Sequence, residues 1–154
     1  DPSSLKLARE AVEQEELRNV RFKHLDILES AELSAYDLIT CFGSLTESGD
    51  IRAVTSRAFS ALREQGIFLI QDVAASSDVR ANRSHSAGPL MYAVSVMFAL
   101  PSSIAKSGDE KHALGLMWGN DSVVRLVRDV GFRCDGPKKL PDDHCNAFFF
   151  CVRG

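Results

Sequence analysis

Tyr36-Asp37-Leu38-Ile39-Thr40-Cys41-Phe42, a helical stretch opened by Asp50, and then Ile67-Phe68-Leu69-Ile70: this run decides the fold. The first segment is almost continuously apolar, the signature of a strand covered on both faces. Asp50 reads as an N-cap, and Val54, Ala58, Phe59 and Leu62 recur at helical spacing up to a stop at Gln65-Gly66. Ile67 to Ile70 follows at once as a second buried strand. Strand, helix and strand joined this closely make a crossover unit, which calls for a parallel pair. Crossovers are right-handed almost without exception, so a doubly wound α/β sandwich with a mainly parallel sheet is expected.

Upstream, Asp1-Pro2 is a helix start, an N-cap acid with proline at the first helical position. Leu5, Leu7, Ala8, Ala11 and Val12 keep helical spacing before a charged run through Glu16, and Val20 to Leu25 alternates like a short strand. Downstream the rhythm breaks. Residues from about 74 to 120 show no clear strand, only an apolar helix from Gly88 to Leu100 bounded by prolines. So long a connection in a compact α/β domain is usually functional, and it reads as a substrate-side insertion. The rhythm returns with Asn120 as N-cap, Val123, Val124, Leu126, Val127 and Val130 as an apolar face, and Gly131 as the stop. Two last strands, around Lys138-Leu140 and from Asn146 to Val152, flank Pro141-Asp142-Asp143-His144 and predict a terminal antiparallel hairpin.

The chain has 154 residues, 45% hydrophobic and 25% charged, with a formal net charge of −3. One domain of ordinary composition fits these numbers. No Lys/Arg stripe stands out, so a small molecule is expected as partner rather than nucleic acid. Cys41, Cys134, Cys145 and Cys151 contain no CxxC pair, and reduced thiols are expected, with no metal site. The opening Asp1-Pro2-Ser3-Ser4 has neither the basic nor the apolar run of a leader. The most apolar stretch, Leu90 to Leu100, is closed by Pro101 and falls short of the roughly 20 residues a membrane span needs. A soluble, cytoplasmic domain without a membrane partner is the expectation.

In this order, the segments resemble class I S-adenosylmethionine-dependent methyltransferases, from the helix after their second strand to the C-terminus, over all 154 residues. Leu5-Lys6-Leu7-Ala8-Arg9 is similar to the LxxAR helix, and Val20 through Ile27 to the third strand with its terminal acid. Tyr36–Phe42 resembles the fourth strand, and Ala61 through Ile70 the LxPGGxLxI turn into the fifth, with Glu64-Gln65-Gly66 in place of Pro-Gly-Gly. The resemblance implies a Rossmann-like methyltransferase sandwich whose first strand and glycine-rich loop are missing from these residues. Gly88 through Ser95, Leu114 through Gly119 and Pro141 through Asn146 resemble a subgroup with an upstream winged-helix domain. That subgroup implies a homodimer formed through the upstream domain and a small-molecule substrate.

The resemblance also implies a cofactor, S-adenosylmethionine. Asp26 would accept from the adenine amino group and Ile27 pack on the ring, while Cys41, Phe42, Gly43 and Ser44 would line the methionine part. Carboxyl ends of parallel strands are where such folds bind ligands, which supports both groups. Asp26 reads equally as a helix N-cap or a solvated loop acid, and Gly43 as a plain turn glycine. Met91, Tyr92, Ser95, Met117 and Trp118 are the expected substrate walls, although apolar residues at helical spacing are more often core. Many relatives have a histidine where Thr46 stands, so a general base, if one is needed, falls to His85 or His144. His24 reads as structural, and His112 as an ordinary histidine.

Two rival readings stay open. One is a methyltransferase-like interaction or dimerisation module that no longer binds cofactor. The other, a nicotinamide dehydrogenase or flavodoxin-like domain, lacks its GxGxxG. In the family's sheet the first and second strands sit between the third and the fourth. The 154-residue chain alone is therefore expected to be inactive and to melt poorly or aggregate, because its strands lack neighbours. A cooperative melt of a monomeric sample would contradict this.

Overall fold

The computed structural model describes residues 2–108 and 113–154, so the readings at Asp1 and His112 lie outside the described residues. The chain divides into two compact units, Asp1–Ala31 and Glu32–Gly154.

In the first unit, α1 (Pro2–Gln14) forms as its spacing predicts, and none of its residues is buried. A Lys6–Glu10 pair one turn apart, at 3.9 Å, adds the few tenths of a kcal/mol of an exposed helical ion pair. Val20 to Leu25 does not form the predicted strand. A strand exists only as part of a ladder, and among the described residues of this unit no second strand offers one. Asp26, extended at φ −73 and ψ 127, then caps a single 3-10 turn over Ile27–Glu29.

The second unit carries one sheet. Its strands are β1 (Tyr36–Phe42), β2 (Leu62–Val73), β3 (Phe132–Lys138) and β4 (Asn146–Arg153), in the order β1-β2-β4-β3. β1 pairs parallel with β2, as the crossover through α2 (Ile51–Ala61) requires, with Ile39 beside Phe68 and Cys41 beside Ile70. β4 runs antiparallel to both β2 and β3. The doubly wound α/β reading and the reversed terminal hairpin both stand. One sheet face is closed: Phe68, Ile70, Ala147, Phe149 and Cys151 pack with Val54 and Ala58 of α2 and with Val123, Leu126 and Val127 of α5 (Asn120–Val130).

The boundaries differ from the sequence reading in five places. β1, expected to be covered on both faces, is an edge strand whose Leu38 and Phe42 stay 54% and 55% exposed. Its apolar run registers a demand for burial, not the number of neighbours available to meet it. α2 ends at Ala61, not at Gln65-Gly66, because Leu62 is fully buried and pairs with Tyr36 at the start of β2. The register then shifts before Leu38 meets Ile67, and the slack is taken up by Gln65 at φ +63 and by Gly66, where a Cβ would lie 2.8 Å from the Arg63 carbonyl.

The apolar insertion helix is longer than expected. α3 (Gly88–Val94) passes through a π-helical segment, Ser95–Ala99, into α4 (Leu100–Ser107), and Pro101 sits in the first turn of α4 rather than ending the run. A π turn changes which carbonyl each N–H meets, and here that change of pairing comes immediately before Pro101, the residue that has no N–H to donate. The 20 residues Gly88–Ser107 are thus long and apolar enough to cross a membrane by length and composition, contrary to the shorter estimate. Asn120 is the first residue of α5, with Gly119 at the cap position. The first hairpin strand begins at Phe132, not near Lys138, because Gly131 at φ +118 ends α5 and turns the chain straight into it. That strand places Cys134 opposite Cys151 with 3.6 Å between the sulfurs, a proximity that spacing alone does not reveal.

Phe149 is wholly buried at the centre of this core. Phe149→Ala is expected to cost about 3–5 kcal/mol of stability, read from urea denaturation.

Candidate functional site

The carboxyl ends of β1 and β2 lie side by side. Gly43, at φ +61, turns the chain away from β1 while its N–H donates to the Gln71 carbonyl at 3.0 Å. Cys41 Sγ lies 3.4 Å from Ser44 Oγ, and burial pushes the thiol pKa up, which disfavours the reactive thiolate. Phe42 and Ser44 are exposed, whereas Leu45 and Thr46 turn inward and are buried. The four expected cofactor residues of this loop therefore come together at one strand end. Asp26 and Ile27 belong to the other unit. There Asp26 Oδ1 accepts from the Leu28 N–H at 2.9 Å, which is the capping role weighed against the cofactor role.

β2 carries two polar residues into this edge. Asp72 is 4% exposed, and desolvation raises its carboxyl pKa, opposed first by the Trp118 side chain and then by the Val73 N–H. Trp118 Nε1 donates to Asp72 Oδ2 at 2.9 Å. Gln71 Nε2 donates to Asn146 Oδ1, and Asn146 Nδ2 donates in turn to Asp143 Oδ2 at 2.9 Å. The Asn146 amide beside Asp143 holds that carboxyl below the usual range. The sequence reading passed over Gln71, Asp72 and Asn146. The available signal was a polar pair, Gln71-Asp72, ending an otherwise apolar strand.

The expected substrate walls divide. Met117 is buried, and Trp118 packs against the main core while it satisfies Asp72. Ser95 is buried and accepts from the Leu116 N–H at 3.1 Å, pinning the π segment to the loop before α5. Met91 and Tyr92 are half-buried, and the Tyr92 hydroxyl accepts from Asn82 Nδ2 at 2.9 Å.

Asn82 in turn borders an open cleft of about 530 Å³ just past the end of β2. Its floor is the Ala74–Ser76 backbone. The Ala74 N–H donates to the Cys145 carbonyl and the Asn120 N–H to the Ala75 carbonyl, both at 2.8 Å, so the hairpin and the start of α5 are tied to the strand end. Asn82 clamps Ser76 from the other side, accepting from its N–H and donating to its carbonyl, each at 2.8 Å. Gly119, at φ +99, passes so close that a Cβ would lie 2.4 Å from the Ser77 nitrogen, so only glycine fits. His85 and His144, the two expected base candidates, both line this cleft. His85 Nδ1 accepts from the Ala87 N–H at 3.2 Å, which leaves the proton of the neutral ring on Nε2.

Burial raises Asp72, so at pH values between the unfolded and the folded titration the folded chain holds a proton there that the unfolded chain releases. Its contribution to stability is complete below the ordinary carboxylate range and falls as pH climbs through the Asp72 titration. Trp118→Phe removes the donor that supports the ionised form. It is expected to cost about 1–3 kcal/mol at neutral pH and less in acid, read from urea melts at both pH values.

The fold has clear parallels. An O-methyltransferase family protein from Burkholderia thailandensis superposes with a TM-score of 0.70 at 18% identity, covering 99% of this chain and 41% of that one. The YcgJ protein from Bacillus subtilis gives 0.68 at 13%, covering 96% and 77%. The methyltransferase CalH, solved in complex with SAH, gives 0.64 at 18%, covering 94% and 39%. The chain thus spans about two fifths of the length of two of these three. No curated protein matches the sequence. A methyltransferase-domain family model matches residues 1–125, most of the chain, and the protein belongs to that family.

Proposed function

We propose that this domain transfers a methyl group from S-adenosylmethionine to a small-molecule acceptor, as a cytoplasmic enzyme that needs no metal. The observation that carries the reading is the end of β1. There Gly43 turns at positive φ, and a Cβ on it would meet nothing closer than Gln71 Oε1 at 4.0 Å, so the backbone is open to a ligand. Cys41 through Ser44 would hold the methionine part of the cofactor; for Asp26, in the other unit, the proposal is the role that the family resemblance implies, accepting from the adenine amino group. The bound cofactor supplies an already activated methyl carbon. The protein's own work is then to position the acceptor and exclude water, with a base needed only if the nucleophile arrives protonated. The likeness of the insertion to the winged-helix subgroup supports a homodimer and a small substrate, and Met91 and Tyr92 stand nearest to that role.

A specific observation favours the second reading, a silent interaction module: Val96, Met97 and Phe98 of the insertion helix are 65%, 81% and 58% exposed. Calorimetric titration of S-adenosylhomocysteine into the full-length protein separates the two. Asp26→Asn keeps the cap, since asparagine caps as well as aspartate, but replaces the second oxygen by a donor. Binding weakened about tenfold, roughly 1.4 kcal/mol, with an unchanged melting temperature is expected. No binding by a well-folded protein would move the reading to the interaction module.

A further inference from the structure

Cys134 and Cys151 stand directly opposite each other on β3 and β4, with their sulfurs 3.6 Å apart. Opposed residues of an antiparallel pair have Cα atoms about 4.5 or 5.5 Å apart, according to whether the pair exchanges hydrogen bonds. Both separations fall within the roughly 4.4–6.8 Å that a disulfide spans. The backbone is thus already in place, and side-chain rotation is enough to bring the sulfurs to a bond of about 2.05 Å. The two thiols are not equivalent. Cys134 is partly exposed on the edge strand, whereas Cys151 is wholly buried. Cys151 Sγ donates to Cys134 Sγ. That bond holds the Cys134 thiol below its ordinary range; burial opposes it, the Arg128 charge adds to the lowering and Asp135 works against it. The same bond, with burial, holds the proton on Cys151. The member of the pair that oxidants can reach is therefore also the one inclined to ionise, and the thiolate is the reactive form.

We propose that Cys134 and Cys151 form an oxidisable dithiol: a hydroperoxide reacts at Cys134, and Cys151 resolves the product into a disulfide that staples β3 to β4. In the first step the Cys134 thiolate attacks a peroxide oxygen. The O–O bond breaks, a sulfenic acid forms on Cys134, and the hydroxide that leaves takes up a proton as water. In the second step the Cys151 sulfur attacks the Cys134 sulfur. The S–O bond breaks, and the departing hydroxide takes the Cys151 proton as a second water. Two thiols are oxidised to one disulfide while hydrogen peroxide is reduced to water. The bond joins residues 17 apart and ties down the edge strand beside its register shift between Asp135 and Lys138, where the ladder to β4 is interrupted. Both cysteines lie beyond residues 1–125, the stretch the family model matches, and the proposal does not depend on the methyl-transfer reading.

The test uses the full-length protein, reduced and then freed of reductant. In the folded protein iodoacetamide is expected to alkylate Cys134 and to spare Cys151. Hydrogen peroxide, added to unalkylated protein, should produce a peptide pair in which Cys134 is linked to Cys151, detected by mass spectrometry. Cys145 and Cys151 share a tryptic peptide, so the link is assigned in Cys145→Ser protein. The cross-linked protein should melt higher by on the order of 10 °C, and dithiothreitol should reverse the shift. Cys134→Ser should abolish both the link and the shift. Cys151→Ala should leave a sulfenic acid on Cys134 that dimedone traps, because nothing resolves it. Four results on the wild-type chain would each overturn the proposal, whether or not the variants fold. They are Cys134 oxidised while Cys151 stays a free thiol, Cys134 bonded to a different cysteine, neither thiol oxidised in folded protein, and a link that lowers the melting temperature.

Discussion

β2 has to satisfy two neighbours of opposite sense at once, and the second unit is arranged around that demand. β1 meets it parallel from Ile67 to Gln71, and β4 meets it antiparallel from Ile67 to Val73. With both edges of the strand committed to ladders, its path is set over this span. The alternating side chains then have no freedom either. Phe68 and Ile70 must face α2 and α5, and Phe149 and Cys151 of β4 meet them on the same face. Arg153 locks the far end, donating to the Leu62 and Ser60 carbonyls with its guanidinium 5.0 Å from the centre of the Phe59 ring.

Because the ladders end together near Val73, the polar groups that the sheet cannot use collect there. Gln71 finds Asn146, Asp72 finds Trp118, and Gly43 finds the Gln71 carbonyl. Ala74 and Ala75 leave the sheet but keep backbone bonds to the hairpin and to α5, so the cleft beyond them has a rigid floor. Chemistry at such an edge is inexpensive for the fold. Substitutions there disturb loop bonds and caps rather than the closed face of the core.

The insertion obeys a different rule. Its helix stays continuous from Gly88 to Ser107 only because the π segment absorbs a change of register before Pro101. Ser95 and Ser103 face inward and are buried, while Leu90, Met97 and Phe98 face out. This inverted polarity is the reverse of what a solvated surface helix shows, and among the described residues nothing covers Leu90, Met97 and Phe98.

Sequence alone determined the elements that rest on local physics. Tyr36–Phe42, the helix capped by Asp50, Ile67–Ile70, the valine face after Asn120 and the reversed hairpin all follow from side-chain period and turn residues, and so does the α/β class. It also marked the strand end at Cys41–Ser44, because a glycine after a buried strand is a local signal. Tertiary structure decided whatever depends on partners distant in the chain. Val20–Leu25 has strand alternation but no ladder, and Tyr36–Phe42 has apolar residues without a cover. The Trp118 N–H finds its partner in Asp72, far away in the chain, which spacing does not show. The cleft was illegible for the same reason. Its lining comes from the end of β2, the turn around His85, the start of α5 and the hairpin, and hydrogen bonds between distant residues, not spacing, bring these together.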